Sequence, residues 1–253
     1  MALMEAKNLT IRFGGLTAVS DFNLTMEKGD LVGLIGPNGA GKSTVFNMLC
    51  GFYRPTEGSI TFDGHDITKM KPHEVSRAGL IRVFQNGRLF KSMSVIENIM
   101  VSRYMTHKTN FLDMVLHTRK YMNEEKDVYD RAMNLLVRLK LEKYVNEPAE
   151  KLPFGIQRQL EVARAVCAEP KMLLLDEPVT GLNVEETDDM VDFITTLRNE
   201  FNLTILLIEH TMRVVMNLCP QIVVIDHGVT IGRGTPEEIR GNERVIEAYL
   251  GVD

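Results

Sequence analysis

Residues Gly36-Pro37-Asn38-Gly39-Ala40-Gly41-Lys42-Ser43 fit the pattern GxxxxGK[ST]. They follow a short apolar run, Leu31-Ile35, and open a helical pattern over Ser43-Cys50. In that setting the chemistry is phosphate binding. The glycines let the backbone curl with several N–H groups pointing inward, and the helix start adds positive potential. Lys42 is expected to reach the β- and γ-phosphates of ATP, and the Ser43 hydroxyl to ligate Mg2+. The expected phosphate contacts are therefore Gly36, Pro37, Asn38, Gly39, Ala40, Gly41, Lys42, Ser43 and Thr44.

A second group points to hydrolysis. Met172-Leu173-Leu174-Leu175 is an apolar strand that ends in two carboxylates, Asp176 and Glu177. Asp176 at the strand tip can hold the Mg2+ shell. Glu177, one residue on, can orient and deprotonate an attacking water.

These residues need a scaffold with strand ends close together. The runs Leu31-Ile35, Leu80-Phe84, Lys171-Leu175, Thr204-Ile208 and Ile222-Ile225 are continuous rather than alternating, as in strands buried on both faces of a mostly parallel sheet. Helical patterns separate most of them; Val191, Ile194, Leu197 and Phe201 share one face. Met4-Phe13, Ala18-Met26 and Ser59-Phe62 alternate more and suggest a small antiparallel sheet. From about Asn86 to Pro153 no strand is expected. Ser94-Tyr104 and Asn123-Leu141 read as helices, the latter with an apolar stripe of Val128, Ala132, Leu135, Leu136 and Leu139.

Composition narrows the class. The chain of 253 residues carries a net charge of -5, so no basic field exists for a nucleic-acid backbone, and nucleic acid is not an expected partner. No signal peptide is expected at Met1-Thr10, and no apolar run approaches the roughly 18 residues that span a bilayer. Cys50, Cys167 and Cys219 are far apart and odd in number, which fits a reducing compartment and packing roles.

With these elements in this order, the sequence resembles the ATP-binding-cassette (ABC) ATPases along nearly its whole length. The resemblance implies an α/β P-loop NTPase core with a mostly parallel sheet, a small antiparallel β subdomain and an inserted helical subdomain. One domain, 1–253, is expected, with 1–87 and 154–253 as core and about 88–153 as the helical insertion. It also implies residue roles. Phe13 matches the aromatic that stacks on adenine, Gln85 the glutamine that contacts Mg2+ and water, and His210 the histidine that senses the γ-phosphate. Leu152-Pro153-Phe154-Gly155-Ile156 matches the signature segment, usually LSGGQ, of which only Leu152 and Gly155 are kept. With Pro153 for serine and Ile156 for glutamine, contact with a nucleotide rests on backbone N–H groups and the helix start. The D-loop matches Val179-Thr180-Gly181-Leu182-Asn183, where Asn183 replaces the usual Asp and doubles as a helix cap with Glu186 three residues later.

Several strings, among them Gly14-Gly15-Leu16-Thr17-Ala18-Val19, Arg82-Val83-Phe84-Gln85-Asn86-Gly87-Arg88-Leu89-Phe90 and the ending Glu247-Ala248-Tyr249-Leu250-Gly251, are similar to the ATPase subunits of branched-chain amino-acid importers. That resemblance implies a cytoplasmic subunit, peripheral on the inner face of the membrane. Its implied partners are a second ATPase subunit (homodimer or heterodimer), integral-membrane permease subunits and, indirectly, a periplasmic or extracellular solute-binding protein. Leu89, Phe90 and Met93 are the expected apolar contacts to the permease. Urea or amide import, lipopolysaccharide export, a non-transport ABC ATPase and a regulatory nucleotide-binding module stand as alternatives.

Overall fold

The structure is a computed structural model that describes residues 2–85, 87, 89–103 and 111–250. Asn86, Arg88 and Gly251 of the strings above, and 104–110 of the helical stretch, lie outside the described residues. The chain divides into two units: Met1–Gln85 with Lys171–Gly181 and Ile194–Asp253, and Asn86–Pro170 with Leu182–Phe193.

In the first unit, β1 (Met4–Phe13) and β2 (Leu16–Met26) pair antiparallel, Met4 opposite Met26 and Phe13 opposite Leu16. The strand β4 (Glu57–Phe62) takes the other edge of β1, and β5 (His65–Asp66) follows it. The larger sheet comprises β3 (Leu31–Ile35), β6 (Leu80–Val83), β7 (Met172–Asp176), β8 (Thr204–Ile208), β9 (Gln221–Asp226) and β10 (Val229–Gly234). Their spatial order is β10-β9-β3-β8-β7-β6. All pairs are parallel except β10 with β9. Every residue of β3 and β8 is buried, which is why both read as unbroken apolar runs. Because β3, β8, β7 and β6 are parallel neighbours about 4.8 Å apart, the residues after them meet at one edge. Those residues are Gly36, Glu209-His210, Glu177 and Gln85, and the carboxyl edge of such a sheet is where ligand sites form.

Short helices α1 (Lys42–Leu49), α2 (Pro72–Arg77), α8 (Met212–Leu218), α9 (Pro236–Arg240) and α10 (Glu243–Leu250) complete this unit, with the end of α7 (Val184–Phe201). In α7, Ile194 and Leu197 are fully buried.

The second unit is helical: α3 (Val95–Val101), α4 (Phe111–Val115), α5 (Arg119–Arg138), α6 (Phe154–Cys167) and the start of α7. The α5 stripe Val128, Ala132, Leu135, Leu136 is buried, as is Leu139 after it. Helix α5 starts at Arg119, ahead of Asn123, because the Thr118 hydroxyl accepts the Tyr121 N–H at 3.3 Å. No strand occurs here among the described residues; the one backbone bridge joins Ser94 to Pro148. The expected boundary at 153/154 falls at the start of α6, whereas this unit runs on to Pro170. No helix among the described residues is long and apolar enough to cross a membrane.

Candidate active site

The backbone of the phosphate loop is shaped by its glycines. Gly36 has φ +153°, and a Cβ there would lie 1.9 Å from the Ile225 carbonyl oxygen, so no side chain fits. Gly41, at φ +106°, caps α1 without any side-chain hydrogen bond to the first-turn N–H groups. Those donors, with Gly39 open on the outer side, leave a concave set of N–H groups suited to phosphate oxygens. The loop is anchored behind by the Gly228 N–H, which donates to the Ala40 carbonyl at 2.9 Å.

Lys42 is buried, and its ammonium donates to the Gly36 and Pro37 carbonyls at 2.7 and 2.8 Å. Burial pulls its pKa below the usual lysine range, while Glu177 and Asp176 nearby act the other way. Ser43 is exposed and Thr44 half-buried on the same first turn.

Glu177 follows β7 with φ +50°. Its N–H donates to the Ile208 carbonyl at 2.9 Å. Its Oε2 accepts from Gln85 Nε2 at 2.6 Å and from the Thr180 hydroxyl at 3.1 Å, and lies 3.8 Å from His210 Nδ1. Oε1 has no hydrogen-bond partner among the described residues and is free to take a proton from water. Gln85, Glu177 and His210, three of the sequence-derived residues, are thus brought together with Asp176 and the loop in one unit. Phe13, at the tip of β1, is 45% exposed, so core packing does not account for it; its ring meets Tyr53 edge-on, 5.3 Å between centroids. Pro153, Phe154, Gly155, Ile156 and Asn183 belong to the other unit. Asn183 caps α7, accepting the Glu186 N–H at 2.9 Å.

Two residues escaped the sequence reading. Arg82 in β6 donates to Asp176 Oδ2 at 2.5 Å and to Asn47 Oδ1 at 2.6 Å, with its guanidinium 4.5 Å from the Phe84 ring centre. Arg82 and Asp176 side chains are 8% and 11% exposed, so losing either partner strands a buried charge, at a cost of about 3–5 kcal/mol. A lone charge inside an apolar strand was the available signal. Glu209 has no exposed surface. Its carboxylate accepts the N–H groups of Val179, His210 and Thr211 at 3.1, 3.1 and 3.3 Å, and so pins the segment after Glu177 to the segment holding His210. Burial outweighs these three donors and raises its pKa. Its neighbour His210 drew the attention in sequence.

Nucleotide phosphates fit the N–H groups and ammonium of the loop, and Mg2+ fits the hard oxygen donors of Ser43, Gln85 and Asp176. The sequence matches the family described as ABC transporter over residues 19–180, and that described as branched-chain amino acid ATP-binding cassette transporter over residues 229–253. It is 47% identical over 249 residues to the high-affinity branched-chain amino acid transport ATP-binding protein BraF of Pseudomonas aeruginosa, with 98% of each chain covered. It is 44% identical, with the same coverage, to the corresponding protein LivG of Escherichia coli. A crystal structure of the ADP conformation of an ATP-binding cassette of an ABC transporter matches all of both chains with a TM-score of 0.85 at 30% identity. On the phosphate loop, the strand-end carboxylates and these matches, the chain belongs to the ABC transporter family, as an ATP-binding subunit.

Proposed function

We propose that this chain hydrolyses ATP to drive a membrane importer of branched-chain amino acids. The observation that carries hydrolysis is Glu177, held by Gln85 and Thr180 through one carboxylate oxygen, the other having no hydrogen-bond partner among the described residues. Lys42 would leave the Gly36 and Pro37 carbonyls for the β- and γ-phosphates, and Phe13 would stack on adenine. Ser43, Gln85 and Asp176 would hold Mg2+, which when bound would neutralise charge at the phosphate oxygens. Glu177 Oε1 would take the proton of the attacking water, and His210, with Nδ1 3.8 Å from Glu177 Oε2, would report the γ-phosphate. The C-terminal match over 229–253 supports the amino-acid importer over lipopolysaccharide export or amide import.

The second unit presents Pro153, Phe154, Gly155, Ile156 and Asn183. These complete the nucleotide site of a second ATPase subunit, so each chain is half of each site. The complex then includes permease subunits in the membrane, this chain on their inner face, and a solute-binding protein on the far side. A Glu177→Gln variant, able to bind but not turn over ATP, is expected to elute as a dimer in gel filtration with ATP and Mg2+. A strictly monomeric profile at high concentration would exclude self-association and direct the search to a different ATPase subunit.

A further inference from the structure

Helix α6 begins without a side-chain cap. Its N-cap is Pro153, which has no hydroxyl or carboxylate to take a first-turn N–H. The Gly155 N–H instead donates to Glu186 Oε1, from the first turn of α7, at 3.2 Å. The other oxygen, Oε2, accepts the Asn183 N–H at 3.1 Å, and the Glu186 N–H donates to Asn183 Oδ1 at 2.9 Å. One carboxylate therefore closes the capping box of α7 and caps α6 as well, where two positive helix ends converge. The approach is close: a Cβ at 155 would lie 3.1 Å from Glu186 Cγ and 3.2 Å from Oε1. Glycine at 155 thus answers to α7 as much as to any ligand.

We propose that Glu186 is a positioning residue that ties the Gly155 turn to the Asn183 segment, supplying from α7 the cap that Pro153 cannot. Its functional side rests on the reading above, in which both segments face the partner's nucleotide. Tied together, they reach that nucleotide as one surface, and the Gly155 turn does not fray in the absence of ATP.

Hydrogen–deuterium exchange on the full chain without nucleotide tests the tether. In Glu186→Ala the peptide around 155–157 should exchange about fivefold faster, the equivalent of one helix cap. Adding Pro153→Ser, which restores a local cap, should reverse the change. Unchanged exchange would overturn the proposal. Should Glu186→Ala fail to fold, Glu186→Gln serves: its amide oxygen can still accept from Gly155, but its NH2 cannot accept from Asn183, so an intermediate rise is expected and no rise counts against the tether. The second measurement is ATP-driven dimerisation in the Glu177→Gln background. Glu186→Ala should raise the ATP concentration required about fivefold, leave binding of a fluorescent ATP analogue to the monomer unchanged, and be rescued by Pro153→Ser. Faster exchange with an unaltered ATP requirement would reduce Glu186 to a helix cap and overturn the positioning role. If Glu177→Gln alone does not dimerise, self-association fails and the dimerisation arm is run with a different ATPase subunit, while the exchange arm still decides the tether.

Discussion

Glu177 occupies a left-handed backbone conformation that costs a non-glycine residue on the order of 1 kcal/mol or more. The Ile208 carbonyl, Gln85 and Thr180 hold it there, so the carboxylate is aimed by its surroundings rather than by its own preferences. Glu209 is the complementary case, a carboxylate that orders two segments without reaching solvent. Its raised pKa has a sign that can be measured. The folded chain binds this proton more tightly than the unfolded chain, so the contribution to stability is full below the ordinary glutamate pKa of about 4.3. It is lost as pH rises through the raised folded value. In urea unfolding across that range, Glu209→Gln should lack this declining limb, whatever its constant offset. Parallel curves for the two proteins would show that Glu209 ionisation is not linked to folding.

At the scale of elements, α3 shows how one side chain organises a turn. Asn98 is fully buried. Its Nδ2 donates to the carbonyls of Phe90, Met93 and Ser94 at 3.0, 3.2 and 3.0 Å, and its Oδ1 accepts the Phe90 N–H at 2.9 Å. The three carbonyls also accept the backbone N–H groups of Met93, Ala149 and Asn98, so Asn98→Ala would leave the Phe90 N–H as the group without its partner, at ~1–3 kcal/mol if water cannot reach it. Urea unfolding should show a loss of about 1–3 kcal/mol; a change below 0.5 kcal/mol, the ordinary range for surface sites, would mean that water replaces the amide. Elements were legible in sequence where burial was two-sided. Leu31-Ile35 and Thr204-Ile208 coincide end to end with β3 and β8. Leu80-Phe84 is one residue too long, because Phe84 leaves the sheet and lies exposed over Arg82. The edge strand β10, VTIGRG, has glycines where an apolar run would signal a strand. The phosphate loop and the Asp176-Glu177 pair were readable because their chemistry demands fixed types at fixed spacing. The roles of Arg82 and Glu209 were not, since their partners Asp176 and Val179 lie 94 and 30 residues away and only folding defines them.

At the scale of the whole molecule, the chain divides into a unit that carries the phosphate loop and a helical unit. In the second unit Phe90 is 46% exposed and Met93 37%, with Arg164 5.9 Å from the centre of the Phe90 ring. Large apolar side chains kept exposed by a pinned turn suit a partner more than a core. In vesicles carrying the permease, Phe90→Ala should weaken subunit attachment about tenfold or more, the scale of an aromatic anchor. Its hydrolysis without permease should stay at the level of the unaltered chain. A lowered melting temperature with intact transport would assign Phe90 to packing instead.

Lys42 already satisfies two loop carbonyls from within, and the glycines already hold the curl. Phosphate arrival at the loop is therefore an exchange of partners on a preformed frame, and the apolar surface hidden is that of Phe13 under the base. The calorimetric trace of ATP at the isolated chain follows from that: a small negative heat-capacity change that belongs to the base, so that inorganic triphosphate in place of ATP should leave an enthalpy nearly constant with temperature.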